Sequence, residues 1–172
     1  MTMVRKATSA DTDKVEVIMN DARKYLGSQG LPQWQGPYGP NRKALEKDAQ
    51  HGYGYVLEVD GAVHGYAAIE PGPDADYEAL KNGSWEGLAQ SYAVIHRVMI
   101  GEAMRGRRKG SEFLRLLVEE AIRLGYKDVR IDTHPANAIM KRVVAESGFI
   151  QRGDIMMNIP DGERVAFQML IS

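Results

Sequence analysis

The chain has 172 residues, 44% apolar and 26% charged, which fits one compact domain over 1–172 with enough apolar surface for a proper core. Its 22 Lys+Arg against 23 Asp+Glu nearly cancel, so the strongly basic footprint of a nucleic-acid binder is absent. It has no cysteine, which excludes disulfides, a thiolate nucleophile and cysteine-ligated zinc or iron–sulfur centres.

In chain order, Val4–Ala7 is a candidate edge strand. The polar stretch Ser9–Asp13 offers N-caps to a helix whose apolar residues Val15, Ile18, Met19, Ala22, Tyr25 and Leu26 recur at helical spacing, with Gly27 at its end. Residues 27–41 are rich in Gly and Pro and hold Trp34 and Tyr38, the pattern of an ordered loop with apolar anchors. Arg42–Ala49 is a short second helix. Tyr53–Val59 and Ala62–Ile69 are rich in β-branched and aromatic residues, and Asp60-Gly61 joins them as a tight hairpin turn. After Pro71, Gly72 and Pro73, residues 74–90 are polar and irregular, with room for one helical turn.

Ser91–Ile100 is a strong strand. Strict alternation puts Tyr92, Val94, His96, Val98 and Ile100 on one face and Ala93, Ile95, Arg97 and Met99 on the other. Ser111–Leu124 carries the stripe Leu114, Leu117, Val118, Ala121 and Ile122, the strongest helix pattern in the chain, closed by Gly125. A strand at Val129–Thr133, a helix at Pro135–Glu146 closed by Gly148, and strands at Phe149–Met157 and Arg164–Leu170 around Asp161-Gly162 complete the order. The fold class is α/β, with a parallel pairing around the Ser111 helix. No run approaches the length of a membrane span or a signal peptide, so a cytoplasmic protein without membrane partners is expected.

The chemistry gathers between the Ser91 strand and the Ser111 helix, where the sequence reads G-E-A-M-R-G-R-R-K-G-S. A helix start offers unpaired backbone N–H groups and the positive end of the helix dipole. Gly106 and Gly110 let a ligand approach the backbone, and Arg105, Arg107, Arg108 and Lys109 add positive charge. Together these make a phosphate site of the helix N-terminus type, against the plainer reading of a solvated basic loop. Neither the dinucleotide G-x-G-x-x-G nor the Walker G-K-[ST] ending is present.

The strand H-R-V-M-I, the loop R-G-R-R-K-G and the helix S-E-F-L-R-L-L-V-E-E-A resemble the GNAT superfamily of N-acetyltransferases. So does the later block I-D-T-H-P-A-N-A-I-M-K-R-V-V-A-E-S-G-F. The segments L-P-Q-W-Q-G-P-Y and D-G-A-V-H-G-Y-A-A resemble the N-terminal part of a bacterial branch of it, so the likeness covers nearly the whole chain. The resemblance implies a mixed, mostly antiparallel central sheet with one splayed parallel pair, flanked by about four helices. It implies acetyl-CoA as cosubstrate, with its pyrophosphate on the amides of Arg105 to Ser111. The main chain of Val98 and Ile100 would hold the pantetheine arm, and the amide of Val98 or Met99 would polarise the thioester carbonyl. Asn137 would steady the arm, or simply cap a helix.

The acceptor would be a small-molecule amine or an exposed amino group, which needs a base because an alkylamine of pKa about 10 is mostly protonated at neutral pH. Asp132, where some members of the family carry a glutamate base, and His96 are the two candidates. Against them, His96 can be a half-buried hydrogen-bonded residue, and Asp132 can orient His134 or pair with Arg97 or Arg130. Trp34 and His134 are candidate acceptor-binding residues; core packing is the competing role for Trp34. The chain departs from the family pattern twice. Arg108 replaces a loop glycine, and Val144 stands where a tyrosine acid is frequent, leaving Tyr92, Tyr126 or water in its place. No metal and no nucleic-acid partner are expected, and a homodimer is possible. The rival reading is a non-catalytic acyl-CoA-binding or regulatory domain of the same fold.

Overall fold

The computed structural model describes residues 1–87 and 91–172. Seven strands form one sheet: β1 (Thr2–Lys6), β2 (Gly54–Val59), β3 (Ala62–Pro71), β4 (Ala93–Ile100), β5 (Asp128–Thr133), β6 (Ile150–Met156) and β7 (Glu163–Leu170). Their order is β1-β2-β3-β4-β5-β7-β6. Every neighbouring pair is antiparallel except β4 and β5. The helices are α1 (Thr12–Ser28), α2 (Arg42–His51), α3 (Ala75–Glu78), α4 (Lys109–Arg123) and α5 (Ala138–Glu146). The expected α/β fold is therefore present, with the one-turn α3 as the fifth helix. The end of the expected irregular stretch, residues 88–90, lies outside the described residues. No helix among them is long and apolar enough to cross a membrane.

Period-2 alternation divides the core. Leu57, Ala67, Ile95, Val129 and Ile131 face Phe113, Leu114, Leu117 and Ala121 of α4. Their strand neighbours Val56, Tyr66 and Met99 meet Val15, Ile18, Met19 and Ala22 of α1 and Leu45 of α2 on the other face. Asp60 (φ 50°) and Gly61 (φ 84°) both take the positive φ that a type I′ hairpin turn demands. Helix α1 runs past Gly27 to Ser28, one residue beyond the expected stop. A Cβ at Gly27 would lie 2.8 Å from Gln35 Oε1, the movable end of a side chain.

The alternation expected along Ser91–Ile100 fails at one residue. Tyr66 pairs with Met99 but Ala68 with His96, so Arg97 and Val98 together oppose Ala67. Arg97, at φ 56°, is the bulged residue. The extra residue reverses the phase. Val98 and Ile100 therefore pack on the α4 face with Ala93 and Ile95, while Tyr92 and Val94 stay on the opposite face. A guanidinium network holds the bulge. Arg97 Nη2 donates to Asp48 Oδ1 at 2.5 Å and Glu70 Oε1 at 2.8 Å, Nε donates to Asp48 Oδ2 at 3.1 Å, and the Tyr66 hydroxyl donates to the same carboxylate at 2.6 Å.

Candidate active site

Strands β4 and β5 pair only at Ala93, Val94 and Ile95 against Val129, Arg130 and Ile131. Beyond that point β5 remains paired to β7 through Thr133, and β4 to β3 through Ile100, so a gap opens between them. The amide of Gly101 donates to His64 O at 2.8 Å on the β3 side. The two-residue alternation of an antiparallel ladder then turns the Met99 amide toward β3 and those of Val98 and Ile100 toward the gap. Of the two expected oxyanion donors, the Val98 amide is thus on the gap side of the ladder and the Met99 amide on the β3 side.

The gap runs into a cleft of about 1950 Å³, larger than the roughly 300–1,000 Å³ of a single-ligand pocket and roomy enough for an extended donor and an acceptor together. One end of it is the start of α4. The amides of residues 106–111 find no acceptor among the described residues, whereas those of Arg105 and Glu112 bond Glu102 O and Arg108 O. No side chain caps the helix. A Cβ on Gly106 or Gly110 would meet nothing within 4 Å, so the approach is open. Arg108, in the family's glycine position, adopts φ 58°, the left-handed conformation that glycine takes freely.

The four basic residues of this loop do not act alike. Arg105 forms a salt bridge with Asp21 and lies 4.2 Å over the Tyr25 ring, which ties it to α1. Lys109 donates to Thr2 Oγ1 at 3.0 Å and Glu112 Oε2 at 2.8 Å. Arg107 and Arg108 have no ion pair among the described residues, and only Arg108 of the two borders the cleft. At the opposite wall Asn137 serves as the N-cap of α5: its Oδ1 accepts from the Met140 amide and its Nδ2 donates to Gln33 Oε1, both at 3.1 Å. It thereby also fastens the 27–41 loop across the cleft. Arg23 clamps that loop from α1, donating to the carbonyls of Trp34, Gly36 and Pro40 at 2.9, 2.7 and 3.0 Å. Trp34 packs against the α1 core and lines the cleft as well.

Asp132 and His96 both line the cleft. Asp132 Oδ2 accepts from the hydroxyl of Tyr77 at 2.5 Å, and Oδ1 lies 3.9 Å from Arg164 Nε. The His96 ring stands edge-on to Tyr77 at 6.1 Å, with Nε2 at 3.4 Å from both Glu70 Oε2 and Asp74 Oδ2. Burial pulls the His96 pKa down, but the Asp74 hydrogen bond and the charges of Asp132 and Glu70 outweigh it, and the pKa is raised. The Asp74 pKa is lowered by the same hydrogen bond. Burial and the Asp132 charge hold the Tyr77 hydroxyl well above its ordinary range, so it stays a donor.

His134 is placed differently from the expectation. It is 8% exposed, lies off the cleft wall, and its Nδ1 accepts from the Ala136 amide at 3.1 Å within the turn before α5. Burial, then the Arg164 charge, lowers its pKa and favours the neutral ring. His134 therefore does not join His96 and Asp132 in the cleft. Glu70, Asp74 and His96 have ligand atoms within 4.8 Å of one another, arranged as an imidazole shared by two carboxylates. Val144 is fully buried in the α4-side core and offers nothing to the cleft. Sequence reasoning missed Tyr77, Asp74, Glu70 and Arg164, the residues that orient the two candidate bases. A four-residue helix has no periodicity to reveal Tyr77, and the signal that existed was the Asp74 cap, whose Oδ1 accepts from the amides of Asp76 and Tyr77.

A model of the acetyltransferase (GNAT) family matches residues 19–149. A GNAT-family acetyltransferase from Streptococcus agalactiae superposes with a TM-score of 0.89 at 30% identity, covering 99% of this chain and 96% of that one. One from Listeria monocytogenes gives 0.77 at 23% identity, covering 99% and 95%. An aminoglycoside acetyltransferase solved with coenzyme A shares the fold at 0.66 and 20% identity, covering 99% and 95%. No curated protein matches the sequence.

Proposed function

Since the chain belongs to the acetyltransferase (GNAT) family, we propose that it is an N-acetyltransferase moving an acetyl group directly from acetyl-CoA to an amine of a small molecule or to an exposed amino group. The observation that carries this reading is the run of acceptor-less amides at residues 106–111, placed where the gap between β4 and β5 meets the start of α4. Backbone N–H groups and the helix dipole there suit a pyrophosphate, and the Arg108 guanidinium adds charge. The edge of β4 released from β5 offers the main chain of Val98 and Ile100 to an amide-bearing arm, and the Val98 amide to the thioester oxygen as charge develops on it. Asn137 contributes by holding the loop that narrows the cleft.

Asp132 and His96 lie on the face of the sheet opposite α4, so the acceptor enters from that side. One of them takes the proton from the ammonium form. The free amine then attacks the carbonyl carbon, a C–N bond forms, the C–S bond breaks, and the second nitrogen proton passes through water to the departing thiolate, leaving a neutral amide and the free thiol. Val144 provides no acid and neither Tyr92 nor Tyr126 borders the cleft, so water serves the departing thiolate, a fair leaving group at a thiol pKa of about 8.5. Without a cysteine there is no cysteine-linked acetyl-enzyme on the path.

The test combines calorimetry of acetyl-CoA binding with thiol release over a panel of amines. Binding together with amine-dependent thiol release supports acetyl transfer. Binding with no release for any amine supports the rival, a domain that binds acyl-CoA without turnover, which the buried Val144 favours. No binding refutes both.

A further inference from the structure

Two buried side-chain polar atoms have no hydrogen-bond partner among the described residues, Arg130 Nη1 and Thr133 Oγ1. The first belongs to a guanidinium already engaged, with two bonds to Asp128 and the rings of Trp85 and Tyr92 at 4.2 and 3.7 Å. Thr133 has no such company. It is 1% exposed, yet it borders the cleft. It ends β5, just past Ile131, where the pairing with β4 has stopped. Strand alternation puts it on the face of Val129 and Ile131, toward α4 and away from Asp132. A valine would fill the same space without a desolvated hydroxyl, so a polar side chain here is a cost to the free protein. That cost is recovered when a polar group enters the gap.

We propose that Thr133 Oγ1 is a hydrogen-bonding contact for the arm of the acyl-thioester donor, a side-chain anchor on the β5 wall facing the main-chain anchors of β4. The inference rests on the reading of the cleft as an acetyl-CoA site. A hydroxyl both donates and accepts, so it serves either an amide or a carbonyl of such an arm.

The experiment compares the wild type with Thr133→Val and Thr133→Ser in the full chain. It measures thermal unfolding without ligand and calorimetric Kd for acetyl-CoA. The expected result is a Val variant that unfolds at or above the wild-type temperature but binds acetyl-CoA about three- to tenfold more weakly, the worth of one ordinary hydrogen bond. The Ser variant should restore the affinity. An unchanged Kd in the Val variant overturns the proposal, as does a Val variant whose free form unfolds several degrees lower, the mark of a purely structural hydroxyl. A wild type that does not bind acetyl-CoA overturns the cleft reading itself, and is seen before any variant is made.

Discussion

Arg97→Ala removes the cation that holds the β4 bulge. Asp48 is 4% exposed at its side chain and receives three hydrogen bonds, two from Arg97 and one from Tyr66. After the substitution only the Tyr66 hydroxyl remains for a buried carboxylate. Breaking a buried pair by deleting one partner costs about 3–5 kcal/mol. Arg97 itself is 22% exposed, so solvent screening places the expected loss near the lower end, about 3 kcal/mol. The positive φ is not relieved, because alanine carries a Cβ too. At roughly 2–4 °C per kcal/mol for a chain of this size, Tm falls by about 6–12 °C. Urea and thermal unfolding followed by circular dichroism measure it. Asp48→Asn and the double variant complete a cycle whose coupling should be on the order of 1–3 kcal/mol. A Tm drop below about 2 °C, or additive single effects, would refute the claim that this pair pins the bulge.

The remaining predictions concern the cleft. Gly110→Glu should fold normally, since nothing lies within 4 Å of its Cβ, yet reduce acetyl-CoA affinity at least tenfold by placing an anion beside the amides of α4; calorimetry with unchanged Kd removes the phosphate site from this loop. Asp132→Asn and His96→Gln should lower kcat more than they change acetyl-CoA Kd, by about 10²–10⁴-fold for whichever is the base, and full turnover in both, with an accepted amine, eliminates them. His96 also gives stability a pH dependence. Its folded pKa lies above the ordinary value of 6.5, so its stabilising charge is fully present below pH 6.5 and is lost as pH rises through the folded pKa. The Tm difference between wild type and His96→Gln should therefore be largest in acid and shrink with rising pH; a difference flat from pH 5 to 9 contradicts it.

What could be read in advance followed from local rules. The α4 stripe, the Asp60-Gly61 turn and the glycine-flanked loop each declare themselves within a few residues. The bulge did not, because Arg97 looks like any polar strand residue and its φ is set by Asp48 and Glu70, far away in the chain. The same holds for the partners of Asp132 and His96. Tyr77 and Arg164 reach Asp132 from segments 55 and 32 residues distant, contacts that no periodicity encodes. In the basic loop the ion pair of Arg105 with Asp21, 84 residues away in the chain, was equally hidden, whereas that of Lys109 with Glu112 is local.

The position of the sulfur in a crystal structure with coenzyme A tests the central claim most directly. The account predicts the pyrophosphate on the amides of residues 106–111 and the sulfur in the gap between β4 and β5, near the Val98 amide and on the way to Asp132 and His96. A coenzyme A molecule bound elsewhere, or one whose sulfur points out of that gap, would contradict it.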